Sequence, residues 1–269
     1  MKKTILCIFI IFLSSLPLSA FDTLGLQDQT WSIGTAELLP QRRVEIGVFQ
    51  PLRYGVSDKL EFSTHPLLFF VMPNFDIKWA HGKYGGFKIA SAHGFTYPSM
   101  LMNLVAKEGI GGLISPEFDI PHILSFQNAL LASRDVFNGH LFTGTLAFNV
   151  AVASGDLDPR TTIDLPVVYP RMSVYYNDFG FRVGADMKGP LFRRFGYAVD
   201  AELFYYPTGE PDVNSAFEHK GLLYWNKSST VQFCVGYLLT YGEYPFGTQW
   251  HLLPLMDVQW GWSRKDSVN

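Results

Sequence analysis

The stretch from His140 to Ala153 limits what this chain can fold into more than any other. Phe142, Gly144, Leu146, Phe148, Val150 and Val152 share one parity, and Leu141, Thr143, Thr145, Ala147, Asn149 and Ala151 the other. Successive side chains in a strand point to opposite faces, so one face is bulky and apolar and the other small or polar. The run covers about fourteen residues, against ~5–6 for an ordinary globular strand. A tilted strand needs about 9–11 residues to cross a bilayer. The pattern indicates where the chain resides more sharply than what it does.

The alternation recurs along the chain. Val44, Ile46 and Val48 oppose Glu45 and Gly47, and Leu60, Phe62 and Thr64 oppose Lys59, Glu61 and Ser63. Phe75, Ile77 and Trp79 oppose Asp76 and Lys78. Turn residues predict a first hairpin with arms Thr35–Leu39 and Arg43–Leu52 about Pro40-Gln41, and a turn across Gly82–Gly85. Ile123–Leu131 reads as a strand, with a turn at Asn138-Gly139 leading into the opening stretch. A further hairpin is predicted over Pro170–Tyr176 and Phe181–Met187 about the turn Asn177–Gly180. Val231–Tyr241 and Trp250–Trp262 close the series, and 154–164 and 208–220 read as polar loops.

The N-terminus has the layout of a secretory signal peptide. Lys2 and Lys3 precede the apolar run Ile5–Leu13, and Leu18-Ser19-Ala20 offers a cleavage site after Ala20. The expected division is 1–20 signal peptide, 21–262 one β-domain and 263–269 a polar tail. No later segment is a run of eighteen apolar residues, so no membrane helix is expected. Cys234 alone remains after cleavage, which excludes an internal disulfide. The net charge of −3 argues against a nucleic-acid partner.

Aromatics make up 16% of the chain and often end the apolar parity, as at Trp79, Tyr176, Tyr197, Tyr205, Tyr241, Trp250 and Trp262, which is the habit of an interfacial girdle. The other parity carries charge in mid-strand. These features predict an all-β antiparallel transmembrane β-barrel. At about 20 residues per strand and connection, twelve strands are expected, with ten or fourteen open. The candidate lumen-lining residues are Glu45, Glu61, His65, Asp76, Lys78, Lys88, Arg182, Asp186, Asp200, Glu202 and Asp257.

Over nearly all of its mature length the chain resembles bacterial outer-membrane β-barrel proteins as a class. The resemblance rests on the export signal, the amphipathic strands, short turns alternating with longer loops, and the aromatic-rich last strand ending at Trp262. The segment PQRRVEIGVFQPLRYGVSDKLEFSTHP resembles the opening hairpins of uncharacterised barrels. The resemblance implies a place in the bacterial outer membrane, with outer-membrane lipids and the barrel-assembly machinery as partners. That machinery reads a terminal aromatic residue in many members, whereas here a polar tail follows Trp262. Oligomeric state stays open.

Several constellations invite a chemical reading. Glu61, Ser63 and His65 share one parity, but such neighbours stand roughly 6–7 Å apart per step. A nucleophile–base pair is therefore expected from adjacent strands rather than from one. No Gly-x-Ser-x-Gly elbow occurs. Ala80-His81-Gly82 and Ala92-His93-Gly94 repeat a tripeptide that one hairpin would bring together, yet no third metal ligand is evident. Asp156, Asp158 and Asp164 crowd one loop without EF-hand spacing. No cofactor and no metal is expected. Met100–Ile114 is apolar without a period of two, and irregular backbone is not tolerated against lipid. It must enter the lumen, cover the mouth or lie at the interface. Met100, Leu101, Leu104 and Ile110 are its gate or plug candidates. The functional expectation is a non-catalytic barrel acting as a narrow channel or transporter for small solutes. The alternatives are a lipid-modifying enzyme, for which His65, His93 and His140 are candidates, and a barrel acting through its loops.

Overall fold

The computed structural model describes residues 31–110, 112–207, 215–244 and 247–263. The expected signal peptide, most of the lead-in before Trp31, residues 208–214 of the expected 208–220 loop and the polar tail beyond Ser263 lie outside the described residues, and residues 215–220 of that loop are instead strand, the start of Ser215–Asn226. Twelve antiparallel strands form one closed barrel. They are β1 (Arg43–Gly47), β2 (Leu52–Ser57), β3 (Leu60–Thr64), β4 (Asn74–Tyr84), β5 (Phe87–Thr96), β6 (Ile123–Phe137), β7 (His140–Ala153), β8 (Phe179–Phe192), β9 (Phe195–Tyr205), β10 (Ser215–Asn226), β11 (Val231–Tyr244) and β12 (Gly247–Ser263). Each pairs with its sequence neighbour, and β1 closes on β12 from Arg43↔Ser263 to Gly47↔Gln259. Closure leaves no open edge, which a spanning sheet requires in a solvent that offers no hydrogen bonds. No described helix is long and apolar enough to cross a membrane.

The parity of His140–Ala153 is realised in β7. Leu146 is 56% exposed, whereas Thr143 is 0%. Phe126, Leu130, Phe148, Val183, Leu203 and Val235 are outward in the same way. The outer wall is a largely apolar belt with aromatic residues towards its ends. Phe62, Phe75, Phe95 and Phe126 line up across four strands, with neighbouring ring centroids 6.3, 5.3 and 5.5 Å apart.

The two ends of the barrel differ. At one end β2–β3, β4–β5, β6–β7 and β8–β9 are joined by two-residue turns, and β1 begins and β12 finishes there. Asn138 and Gly139 take positive φ of 44° and 78°, the backbone that a tight hairpin demands and Asn-Gly supplies. The long connections gather at the other end. They include α1 (Pro66–Phe69), α2 (Ser99–Val105), a 3₁₀ turn (Pro159–Thr161), α3 (Tyr169–Met172) and α4 (Val174–Asn177).

Several local expectations are corrected. Thr35–Leu39 is not a strand, because Pro40 lacks an N–H and Arg42 takes φ 64°, so the chain cannot run on in register into β1. The expected arm Arg43–Leu52 is two strands split at 48–51. Gly82 is not in the turn, which falls at Gly85-Gly86. Gly82 takes φ 101° at a register shift inside β4, leaving His81 as the extra residue between Ala80↔Ala90 and Gly82↔Ile89. Pro170–Tyr176 forms two helical turns, and the strand starts only at Phe179. Its apolar residues bury within a cap instead of a wall. Tyr169, Met172 and Val174 pack with Met102, Ile114, Ile163 and Tyr206 over the long-loop end.

Candidate functional site: a filled lumen

The inward parity builds a charged ladder on the short strands. Arg43 Nε donates to Glu45 Oε1 at 2.7 Å, and Arg53 Nη1 to Glu45 Oε2 at 3.1 Å. Arg53 grips Glu61 with two hydrogen bonds, Nε to Oε1 at 2.9 Å and Nη2 to Oε2 at 3.0 Å. Lys78 Nζ stands 3.6 Å from Glu61 Oε2. Side chains of Arg43, Glu45, Arg53 and Glu61 are all about 5% exposed or less. Paired and hydrogen-bonded, such charges tolerate burial that would be prohibitive singly.

The partner that buries this ladder is residues 31–42, which cross the lumen at the short-turn end. Leu39 N–H donates to Glu61 Oε2 at 2.8 Å, and Trp31 N–H to Glu45 Oε1 at 3.0 Å. Arg53 Nη2 donates to Ser32 Oγ at 2.9 Å. Lys78 Nζ donates to the carbonyls of Glu37 at 2.6 Å and Thr35 at 3.2 Å. Ala36 N–H donates to Ser133 Oγ at 2.8 Å, Lys88 pairs with Glu37, and Lys188 reaches the Trp31 carbonyl. Ala36 and Leu38 pack on Ala90, Ala129, Leu131 and Ala147. The segment is thus held by side chains of β1–β8, with Arg42 N–H to the Gly55 carbonyl (2.7 Å) among its few backbone contacts. About 10 Å³ is left beside Trp31, Glu45, Arg53 and Gln259, room for about one water.

The rest of the lumen carries further pairs. Arg182 meets Glu202, and Lys220 Nζ lies 2.5 Å from Asp200 Oδ2. Asp257 Oδ1 accepts from the N–H groups of Phe49 at 3.1 Å and Val258 at 2.9 Å. A Cβ on Gly34 would lie 3.6 Å from Asp186. Asp76 remains exposed beside Gly94, whose missing side chain makes room for its carboxylate. His65 lies past the end of β3, where its Nε2 donates to the Phe49 carbonyl at 3.0 Å.

At the far end, Arg171 reaches down from the cap to Glu218 with hydrogen bonds of 2.5 and 2.6 Å. Burial works against the Arg171 charge, but the Glu218 carboxylate outweighs it and raises its pKa. On α2 the side chains turned into the cap are Met102, with Ala106 just beyond. Leu101 and Leu104 are half-buried, and Met100 and Ile110 are exposed. In the acidic loop, Asp158 pairs with Arg160 at 2.6 Å and caps the 3₁₀ turn. No metal-ligand cluster occurs among the described residues.

His81 and His93 do meet, on the outer wall. Both Nε2 atoms lie near Ser91 Oγ, at 2.8 and 3.0 Å, and His93 Nδ1 lies 2.8 Å from Asn128 Oδ1. His140 is elsewhere, against Tyr197 Oη at 2.8 Å near the short-turn rim. The Ser91–His93 contact corrects the spacing expectation. The two residues share one strand, and the imidazole spans the gap by lying along it. The repeated Ala-His-Gly tripeptide was the available signal for His81 and His93. Nothing in the sequence marked residues 31–42 as lumen filling.

A closed barrel, greasy outside and charged within, fits only one setting. The fold is that of an outer-membrane β-barrel. No family model matches the chain, and no curated protein matches it. Among solved structures it is similar to the outer membrane channel DcaP of Acinetobacter baumannii, at 7% identity and a TM-score of 0.39, covering 80% of this chain and 62% of that one. It is also similar to OprB of Pseudomonas putida, at 10% identity and a TM-score of 0.37, covering 79% and 58%. A bacterial polysaccharide outer membrane secretin is similar at 7% identity and a TM-score of 0.40, covering 83% and 70%. The chain spans about three fifths of the length of the first two.

Proposed function

We propose that this protein, exported through its N-terminal signal, is a narrow outer-membrane channel for small polar solutes, closed at rest by its own residues 31–42. What supports this reading is the way the segment is held. Side chains grip most of it, and no strand pairing ties it to the wall. Each such hydrogen bond contributes roughly 0.5–1.5 kcal/mol, more where a charge takes part. The segment can therefore leave without undoing the strand ladder. Its departure would bare Glu37's partner Lys88, together with Lys78, Glu61 and Arg53, which would line a wet passage of mixed charge. The test is single-channel recording in planar bilayers. The mature chain is expected to stay closed or flicker, and a variant lacking residues 21–42 to carry steady current. A folded deletion variant without current would defeat the proposal.

A further inference from the structure

The outer wall holds a second polar cluster, on the side where hydrocarbon is expected. β4, β5 and β6 place His81, Ser91, His93 and Asn128 at outward positions, with His93 and Asn128 one outward step along their strands from the Phe95 and Phe126 rings. Polar groups facing lipid are costly, and where they persist they mark function. Here they are joined to one another in a definite order. His93 and Asn128 are register partners across β5 and β6. The Asn128 amide oxygen can only accept, so it fixes the proton on His93 Nδ1 at 2.8 Å. His93 Nε2 is then the bare, basic nitrogen, and it faces Ser91 Oγ at 3.0 Å. His81, thrust outward by the register shift in β4, places Nε2 at 2.8 Å from the same oxygen and donates to it. This is a nucleophile, a base and an orienting group in hydrogen-bond sequence, the arrangement that activates a serine.

We propose that Ser91, His93 and Asn128 form a relay that hydrolyses the acyl ester of a membrane lipid. Ser91 Oγ attacks the ester carbonyl carbon, and its proton passes to His93 Nε2. The bond from that carbon to the lipid's alcohol oxygen breaks, and His93 returns the proton to the departing oxygen, leaving acyl-Ser91 and a deacylated lipid. Water then attacks the acyl carbon, its proton goes to His93 and on to Ser91 Oγ, and a fatty acid leaves. His81 N–H is the side-chain donor placed to follow the charge onto the carbonyl oxygen. Asn128 acts through His93, as a positioning residue. The site lies outside the barrel and does not depend on whether the lumen conducts.

The test uses the folded mature chain, its fold verified by heat-shifted gel mobility. It is added to vesicles of phosphatidylethanolamine and phosphatidylglycerol, and separately to lipopolysaccharide. The released acids distinguish the sources, ordinary fatty acids from the first and 3-hydroxy or secondary acyl chains from the second. Release from at least one lipid is expected, with a fluorophosphonate adduct on Ser91. Ser91→Ala should lose both, while His140→Ala keeps both. Asn128→Ala should lower kcat on the order of 100-fold with KM unchanged, and Asn128→Asp should recover most of the loss. If neither lipid is cleaved faster than by folded Ser91→Ala, the proposal is overturned. It is equally overturned if the variants change only the ratio of monomer to oligomer, for the cluster is then a contact between copies.

Discussion

Gly55 lies directly against the segment that fills the lumen, with no room for a side chain. A Cβ there would stand 2.1 Å from the Pro40 carbonyl oxygen and 2.8 Å from that of Leu39, both backbone atoms with little freedom to yield. Gly55→Ala is therefore expected to drive residues 39–42 inward or out while β2 stays paired. The reporter is the Leu39 amide, which donates to Glu61. Its hydrogen exchange should quicken by about tenfold or more, equivalent to ~1.4 kcal/mol, and unchanged protection would refute the close approach. At this scale the sequence was only partly readable. The charged inward positions followed from parity alone. That Arg53 would clasp Glu61, eight residues away, depended on β2 and β3 being short and tightly turned. Asn128 could not be joined to His93 without the register of β5 on β6, which no local spacing encodes.

Among the elements, Thr35–Leu39 and Pro170–Tyr176 depart from the expected strands for one reason. Both alternate like wall strands, yet the first fills the lumen and the second packs in the cap over the long-loop end. A segment inside the lumen or the cap meets side chains on every face, so it needs no lipid-facing parity and mimics a strand only by accident. Proline marks both, at Pro40 and Pro170. In the cap the decisive contact is Arg171 with Glu218, whose side chain is 3% exposed. Arg171→Ala leaves that carboxylate buried without its cation, so α3 and α4 should detach from the mouth. Exchange across 165–177 is expected to accelerate well before any strand opens. Arg171→Lys, which keeps the charge but loses the two-pronged grip, should fall between. Equal exchange in all three proteins would mean that apolar packing alone seats the cap.

For the whole molecule, the wall and the strand count were legible because a bilayer imposes parity on the wall strands and spanning length on most of them. Leu146 sits outward in mid-strand β7, and Leu146→Arg should cost ~2–4 kcal/mol in guanidinium unfolding from vesicles, the expectation for a cation near the midplane. The uneven strength of the wall was not legible. β1, β2 and β3 have 5, 6 and 5 residues, whereas β6 has 15 and β12 has 17. β1 and β2 register at only Val44↔Tyr54 and Glu45↔Arg53. Few ladder hydrogen bonds hold this sector, and the Arg43–Glu45–Arg53–Glu61 chain staples it from inside. The barrel should therefore open there first, with exchange fastest over 43–64 and slowest in β6 and β7. Glu45→Ala removes the carboxylate shared by two buried guanidinium groups and leaves one of them, Arg43, without the anion. A loss of ~3–5 kcal/mol follows for a broken buried pair, and it should appear as opening of the β1–β12 seam while β6–β7 remains protected. Uniform loss of protection around the whole barrel would show instead that the strands open together and that the ladder has no local role.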